Sequence, residues 1–169
     1  MFIIVCDIDK TLCDSGVRLD RVIKKCGSEE IWTEEHLQEF LNPEEIRKDK
    51  VVRGAQNINE IAEVCGRLII LTGRNERSRK DTRNWLWVNL DICEDVPLIM
   101  RSDDDFSNPV ECKENLFVQN VLNNNPDAHF IFIDDDPKIL QMFFKYGMIL
   151  KAPEVWDLFD RLFNRLVRY

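Results

Sequence analysis

The chain has 169 residues, 44% of them hydrophobic, with 23 basic against 31 acidic side chains and a formal net charge of −8. That length and apolar content suit one globular domain and exclude a disordered tail, while only 6 glycines and 6 prolines exclude collagen-like or elastic composition. No stretch approaches the ~20 apolar residues of a membrane span, and the opening run Met1 to Cys6 stops at Asp7, too short for a signal sequence, so a cytoplasmic protein with no membrane partner is expected.

Short apolar runs separated by helix-length segments predict a parallel sheet with crossover helices. Strands are expected at residues 2–6, 68–71, 96–100, 130–133 and 148–150. Helices are expected at 57–64, 76–88 and 109–122, the last opened by Asn108 as cap, Pro109 and Glu111. Asp136-Pro137 opens another helix to about Tyr146, and residues 153–168, with Val155, Trp156, Phe159, Leu162, Phe163 and Leu166 on one stripe, read as a final amphipathic helix. Residues 14–53 break this rhythm. They are polar, carry helical patterns at 18–25 and 33–41, and restart at Asn42-Pro43, as a small helical cap inserted after the first strand would. The fold expected is a single doubly wound, Rossmann-like α/β domain over residues 1–169 with that insertion. Trp85, Trp87, Phe143, Phe144 and Tyr146 read as core.

Three strand ends carry chemistry. Asp7-Ile8-Asp9-Lys10-Thr11 follows the first strand, where ligands of open α/β sheets bind; two carboxylates so close call for a shared cation or proton, and hard oxygen donors favour Mg²⁺. Thr72-Gly73-Arg74 ends the second, offering a hydroxyl, a backbone N–H and a guanidinium to phosphoryl oxygens. Asp134-Asp135-Asp136 ends the fourth; Asp136 reads as a helix cap, which leaves Asp134 and Asp135 as metal candidates. Lys113, in the second turn of the helix after Asn108, is placed to project back as a fixed cation. Six cysteines without a Cys-x-x-Cys pair argue for reduced, structural thiols rather than a zinc site.

These motifs, in this order over residues 7–135, resemble the four-motif signature of the haloacid dehalogenase (HAD) superfamily of phosphohydrolases. Leu71-Thr72-Gly73-Arg74, then Met100-Arg101-Ser102-Asp103-Asp104-Asp105 and Glu111-Cys112-Lys113-Glu114, is similar to the phosphatase domain of phage-type polynucleotide kinase-phosphatases. The chain departs from that pattern at Pro109, where an aspartate is typical, at Lys10, where glycine is common, and in its longer insert. The resemblance implies a Mg²⁺-dependent phosphomonoesterase in which Asp7 is the nucleophile and Asp9 the general acid and base. Asp7, Asp9 through its carbonyl, and Asp134 would hold the metal, with Asp135 orienting metal waters or Lys113. Thr72, Gly73 and Lys113 would hold the phosphoryl oxygens, with Thr11 and Arg74 beside them.

The substrate implied is a nucleic-acid 3′-phosphate end. Arg74 to Arg83 carries a net charge of +3 in a protein of −8, so Arg77 and Lys80 are expected to meet a polyanion. A (deoxy)nucleoside 5′-monophosphatase is the alternative, because a cap can close over a free nucleotide. A receiver-type phosphoacceptor domain is the rival from another class, but its acid pair and phosphoacceptor sit on different strands. No kinase P-loop is present, so any kinase activity has to come from a separate partner chain.

Overall fold

The computed structural model describes residues 1–27 and 33–166. The strands are β1 (Phe2–Cys6), β2 (Cys13–Asp14), β3 (Lys50–Val51), β4 (Gly66–Asn75), β5 (Leu98–Arg101), β6 (His129–Asp134) and β7 (Gly147–Lys151). The helices are α1 (Gly16–Cys26), α2 (Glu34–Phe40), α3 (Pro43–Ile46), α4 (Ile58–Cys65), α5 (Arg79–Leu90), α6 (Pro109–Phe117), α7 (Pro137–Phe143) and α8 (Glu154–Leu166). Five strands form one sheet in the order β5-β4-β1-β6-β7, every pairing parallel.

Alternation along the strands assigns each side chain to a face. Ile4, Cys6, Leu68 and Ile70 point to one side, where α4, α5 and α8 supply Ile58, Ile61, Trp85, Leu86, Val155 and Trp156. Ile3, Val5, Ile69 and Leu71 point to the other, against Phe117 and Val121 of the α6 segment and Ile139 and Phe143 of α7. Helices on both faces explain why the strands read as unbroken apolar runs, and they make the sheet doubly wound as expected. Phe117 organises the second face: its ring meets Phe130 and Phe132 edge-on at 5.1 Å and Phe143 at 5.5 Å.

Several boundaries differ from the sequence expectation. β4 runs on to Asn75, because the backbone stays extended through Thr72-Gly73-Arg74 and rejoins β5 at Asn75↔Arg101 past an irregularity in register. β5 starts at Leu98 rather than 96, since the Val96 N–H is spent on a turn to Cys93 and Pro97 has none to give. A 3₁₀ turn at Glu76–Ser78 precedes α5, and one π-helical turn, Val118–Leu122, extends α6 to its expected end. α7 stops at Phe143, which leaves Phe144 70% exposed rather than in the core. α8 begins as expected; Arg168 lies outside the described residues. Trp85 is buried, but Trp87 is 52% exposed and outside the core.

Residues 15–49 lie between β2 and β3, which pair antiparallel through Cys13↔Val51 and Asp14↔Lys50 and bring the two ends of the insert together. The restart at Asn42-Pro43 acts as read: Asn42 caps α3 by accepting from the Glu44 N–H at 3.0 Å and Pro43 takes the first helical position, while a capping box of Thr33 with His36, not read from the sequence, opens α2. Beyond the ribbon, Gly54 (φ 85°) approaches α8 so closely that a Cβ there would stand 2.8 Å from the Trp156 Cβ. The Trp156 indole N–H donates to the Thr11 carbonyl at 2.8 Å, which ties α8 to the loop after β1. No described helix is long and apolar enough to cross a membrane.

Because Phe117 is wholly buried among four other aromatic rings, those of Phe130, Phe132, Phe143 and Tyr146, Phe117→Ala is expected to cost about 3–5 kcal/mol. The fall in urea midpoint at unchanged m-value measures it.

Candidate active site

β1 lies at the centre of the sheet, with β4 on one side and β6 on the other. The chain leaves β1 toward β4 and returns later to β6, so a crevice opens at the carboxyl end of β1, the topological switch point. The β1–β4 pairing ends at Cys6↔Ile70 and the β1–β6 pairing at Cys6↔Ile133. Asp7, Thr72 and Asp134 therefore emerge together just beyond it, and the Asp7 N–H still reaches the Ile133 carbonyl at 3.0 Å.

Lys113 joins these carboxylates. Its α6 starts at Asn108, whose side chain accepts from the Val110 N–H at 2.9 Å, with Pro109 next in the first turn. Side chains on a helix lean toward its N-terminus, and from the second turn the ammonium reaches 2.8 Å from Asp7 Oδ1 and 2.7 Å from Asp134 Oδ2. Pro109, where the resembled pattern has an aspartate, does not divert it. The second Asp134 oxygen accepts from the Asp136 N–H at 3.0 Å, while Asp136 caps α7 by accepting from the Lys138 N–H at 2.8 Å, as its place before Pro137 foretold.

One carboxylate oxygen from each of Asp7, Asp134 and Asp135 falls within 4.8 Å of the others. Burial pushes the Asp7 carboxyl up to about 8, with Asp134 and Asp9 adding to it and Lys113 opposing. Burial and then Asp134 raise Asp135 to about 6. For Lys113, burial works against the charged form, but Asp134 and Asp7 outweigh it and hold the ammonium well above its ordinary range. Lys113 pairs with two of these three carboxylates and Asp135 feels Lys113 and Lys10 only through their fields, so the group keeps surplus negative charge. An all-oxygen donor set of that charge fits Mg²⁺: Asp7, Asp134 and Asp135 are the side chains that could hold it.

Asp9 faces elsewhere. Arg74 grips it with two parallel bonds, Nε to Oδ2 and Nη2 to Oδ1, each 2.8 Å, and Arg18 of α1 adds a third contact to Oδ1. Arg18 Nε also reaches both oxygens of Asp49 at 2.9 Å. Burial would raise the Asp9 carboxyl, but Arg74 and Arg18 prevail and hold it well below the usual carboxylate range. Asp9, Cys13 and Asp49 also cluster closely, but the two guanidiniums already occupy that space, so it is no cation site. The Asp9 carboxylate is thus not among the metal-facing oxygens; its carbonyl remains outside the loop's backbone bonds, which use the carbonyls of Ile8 and Cys13.

Of the remaining expected residues, Thr72 is buried beside the crevice and its Oγ1 accepts from the Arg74 N–H at 3.2 Å. Gly73 has open space where a Cβ would stand, leaving its backbone approachable. Arg74, expected to face substrate, is fully buried and committed to Asp9. Thr11 is also fully buried, its Oγ1 without a hydrogen-bond partner among the described residues. Arg77 stands at the rim, between Glu34 of α2 (3.3 Å) and Asp103 (3.5 Å); Lys80 is exposed and in no ion pair among the described residues. Lys10 takes the left-handed conformation at φ 60°, which explains why glycine suits that position.

Arg18 and Asp49 were not anticipated as site residues. The usable signal was on α1: Arg18 precedes Val22 by one helical repeat and shares its buried face, an unusual place for a cation unless it meets an acid.

No family model matches the sequence, and no curated protein does. Solved structures do resemble it. Two chains from the Pnkp1/Rnl/Hen1 RNA repair complex match with TM-scores of 0.63 at 19% and 17% identity over 89% of this chain. This chain spans less than half of either, 42% and 45% of their lengths. A haloacid dehalogenase-like hydrolase, SP0104 from Streptococcus pneumoniae, matches with a TM-score of 0.62 at 15% identity, over 88% of this chain and 83% of that one. The HAD-type hydrolase YfnB from Bacillus subtilis, solved bound to magnesium, gives a TM-score of 0.58 at 11% identity, over 94% and 98%. The chain therefore has the fold of HAD-like hydrolases.

Three outcomes are expected. Between about pH 6 and 8, Mg²⁺ has to displace a proton from Asp7, so calorimetric Mg²⁺ affinity should rise over that window and level off above it. The raised Asp7 pKa means the metal-free protein loses stability as pH climbs from the ordinary carboxylate range to about 8, and added Mg²⁺ should restore melting temperature most at the alkaline end. Separately, Arg18→Met removes one partner from a buried ion cluster in which Arg18 is 2% exposed; a loss of about 3–5 kcal/mol is expected in urea unfolding.

Proposed function

We propose that the chain is a Mg²⁺-dependent phosphomonoesterase whose preferred substrate is a nucleic-acid 3′-phosphate end. The observation that carries this reading is the Lys113 ammonium bridging Asp7 and Asp134 at 2.8 and 2.7 Å, with Asp135 beside them, at the carboxyl end of the central strand. An anionic nucleophile can meet an anionic phosphoryl group only where its charge is balanced, and Lys113 supplies part of that balance. Bound Mg²⁺, held by Asp7, Asp134 and Asp135, would supply the rest by drawing negative charge from the phosphoryl oxygens.

In the first step an Asp7 carboxylate oxygen forms a bond to phosphorus, the bond from phosphorus to the sugar oxygen breaks, and the alkoxide takes a proton from Asp9, which has drawn it from solvent. In the second, water attacks the aspartyl-phosphate, releasing inorganic phosphate and restoring Asp7. Thr72 Oγ1–H, the Gly73 N–H and Lys113 hold phosphoryl oxygens as charge builds on them. Asp9 is the base assigned to the attacking water, but the guanidiniums of Arg18 and Arg74 that keep it ionised also lower its basicity, so their grip has to loosen as the proton arrives. To protonate the alkoxide it must first gain a proton against two guanidiniums. Arg74 contributes by fixing Asp9 rather than by touching substrate.

The polynucleotide preference is supported by Arg77 in the turn before α5 and Lys80 at the start of α5, and by the resemblance to polynucleotide kinase-phosphatases; a separate kinase chain would complete such an end-processing pair. Asp7→Asn should lower turnover at least a thousandfold, on the order of the losses that follow removal of a reacting group, while retaining the wild-type melting temperature within a few degrees. Phosphate release from a 3′-phosphorylated oligonucleotide, its 5′-phosphorylated isomer, mononucleotides and sugar phosphates decides the substrate: fastest release from the 3′-phosphorylated oligonucleotide is expected, and faster release from 5′-mononucleotides would favour a nucleotidase. Chelation should abolish release and Mg²⁺ restore it.

A further inference from the structure

We propose that the outer face of α5 is the track along which a single-stranded polynucleotide runs from the site, with Trp87 as a stacking platform for a base beyond the terminal nucleotide. This rests on the phosphatase reading and specifies where the rest of its substrate lies. α5 begins one 3₁₀ turn after β4, whose last residues include the Thr72-Gly73-Arg74 segment, and as a crossover helix in a parallel sheet it runs back away from the crevice. About 1.5 Å of rise per residue puts Trp87 ~12 Å along the axis from Arg79. A mononucleotide bound at Asp7 ends short of it; a strand does not.

A groove of about 1000 Å³ follows this face, and Arg77, Arg79, Lys80, Arg83 and Trp87 line it. Two acids, Glu76 and Glu94, line it as well, so its lining stays net positive in a protein of net charge −8. Arg79 is paired with Glu76. Lys80 and Arg83 have no ion-pair partner among the described residues. Arg83 is instead fixed by backbone: its Nη1 donates to the carbonyls of Cys93 and Val96 at 3.2 and 2.9 Å, which leaves a positioned cation with charge to spare. Burial and the nearby Arg79 charge push the Arg83 pKa down, a repulsion that an anion between them would relieve.

Trp87 differs from the other tryptophans described. Trp85 and Trp156 are buried and donate their indole N–H groups to the carbonyls of Asp49 and Thr11. Trp87 is 52% exposed. A large aromatic face left in water beside fixed cations is the combination that binds single strands without reading their sequence.

The test uses the full chain and variants at exposed positions outside the catalytic crevice: Trp87→Ala, Asn84→Glu and Asn84→Lys. Substrates are 3′-phosphorylated single strands of two and eight nucleotides and a small aryl phosphate. For the eight-nucleotide strand, KM should rise about tenfold in Trp87→Ala and severalfold in Asn84→Glu, and fall in Asn84→Lys. The dinucleotide and the aryl phosphate should be unaffected within twofold. Binding of a 3′-hydroxyl octanucleotide, followed by quenching of tryptophan fluorescence, should show the same order, with the salt slope of Asn84→Glu shallower than wild type. Equal KM shifts for all three substrates, no shift in any, or equal displacement of the octanucleotide by polyglutamate would overturn the track, the last marking the face as a site for acidic protein. If wild-type protein hydrolyses none of the substrates, the phosphatase reading fails. Quenching by the octanucleotide that these variants alter in the stated order would still uphold the track.

Discussion

The buried charge at the carboxyl end of β1 is divided between two groups of opposite balance, and the rest of the site depends on that division. Asp9 and Asp49 face Arg18 and Arg74, two acids against two bases, with every carboxylate in contact with a guanidinium. Asp7 and Asp134 pair with Lys113, while Asp135 beside them has no ion-pair partner among the described residues and feels Lys113 and Lys10 only through their fields. The first group is neutral and closed, and its geometry is rigid because bidentate guanidinium pairs fix both distance and plane. The second is short of positive charge; burial first, and then the neighbouring carboxylates of Asp134 and Asp9, push Asp7 up to about 8 against the opposing pull of Lys113. A divalent cation has reason to enter the second and none to enter the first, although both bring three potential ligands together.

The sheet makes this division possible. Asp7 and Asp9 are two residues apart, yet the first lies against β6 and α6 while the second turns toward β4 and the insert. β1 is the central strand, so its carboxyl end meets neighbours on both sides. Residues that leave it in succession can be claimed by different partners. An edge strand has a neighbour on one side only and could not separate the two carboxylates in this way.

The sequence disclosed what local pattern controls. Both faces of the sheet, the strand ends carrying Asp7, Thr72 and Asp134, the caps at Asn108 and Asp136 and the projection of Lys113 all follow from runs, spacings and cap chemistry within a few residues. Pairings across long separations were not legible. Arg74 reads from sequence as a substrate ligand because it follows a strand-end glycine; only the fold shows Asp9 waiting for it 65 residues away. Asp49 gives no local sign at all, being one acid among many in a polar insert. Trp87 misleads for a related reason: Trp85 and Trp87 are two residues apart, and on a helix such positions do not share a face, so only one of them could be core.

The insert therefore has a part in assembling the site as well as standing beside it. Arg18 comes from its first helix and Asp49 from the segment just before its closing strand. Arg18 also passes a guanidinium N–H to the Phe40 carbonyl, at the end of α2, and lies 4.2 Å over the Phe40 ring. One side chain thus links α1, α2, the insert's exit and Asp9. Trp85 of α5 extends the link by donating to the Asp49 carbonyl at 3.0 Å. Without Arg18, Asp9 and Asp49 would have Arg74 alone to balance them, near a crevice already rich in negative charge. The packing of α1, α2 and the Asp49 segment and the placement of Asp9 consequently rest on the same buried contacts, and the polar side chains that made this stretch look like an interruption in the sequence include the ones those contacts use.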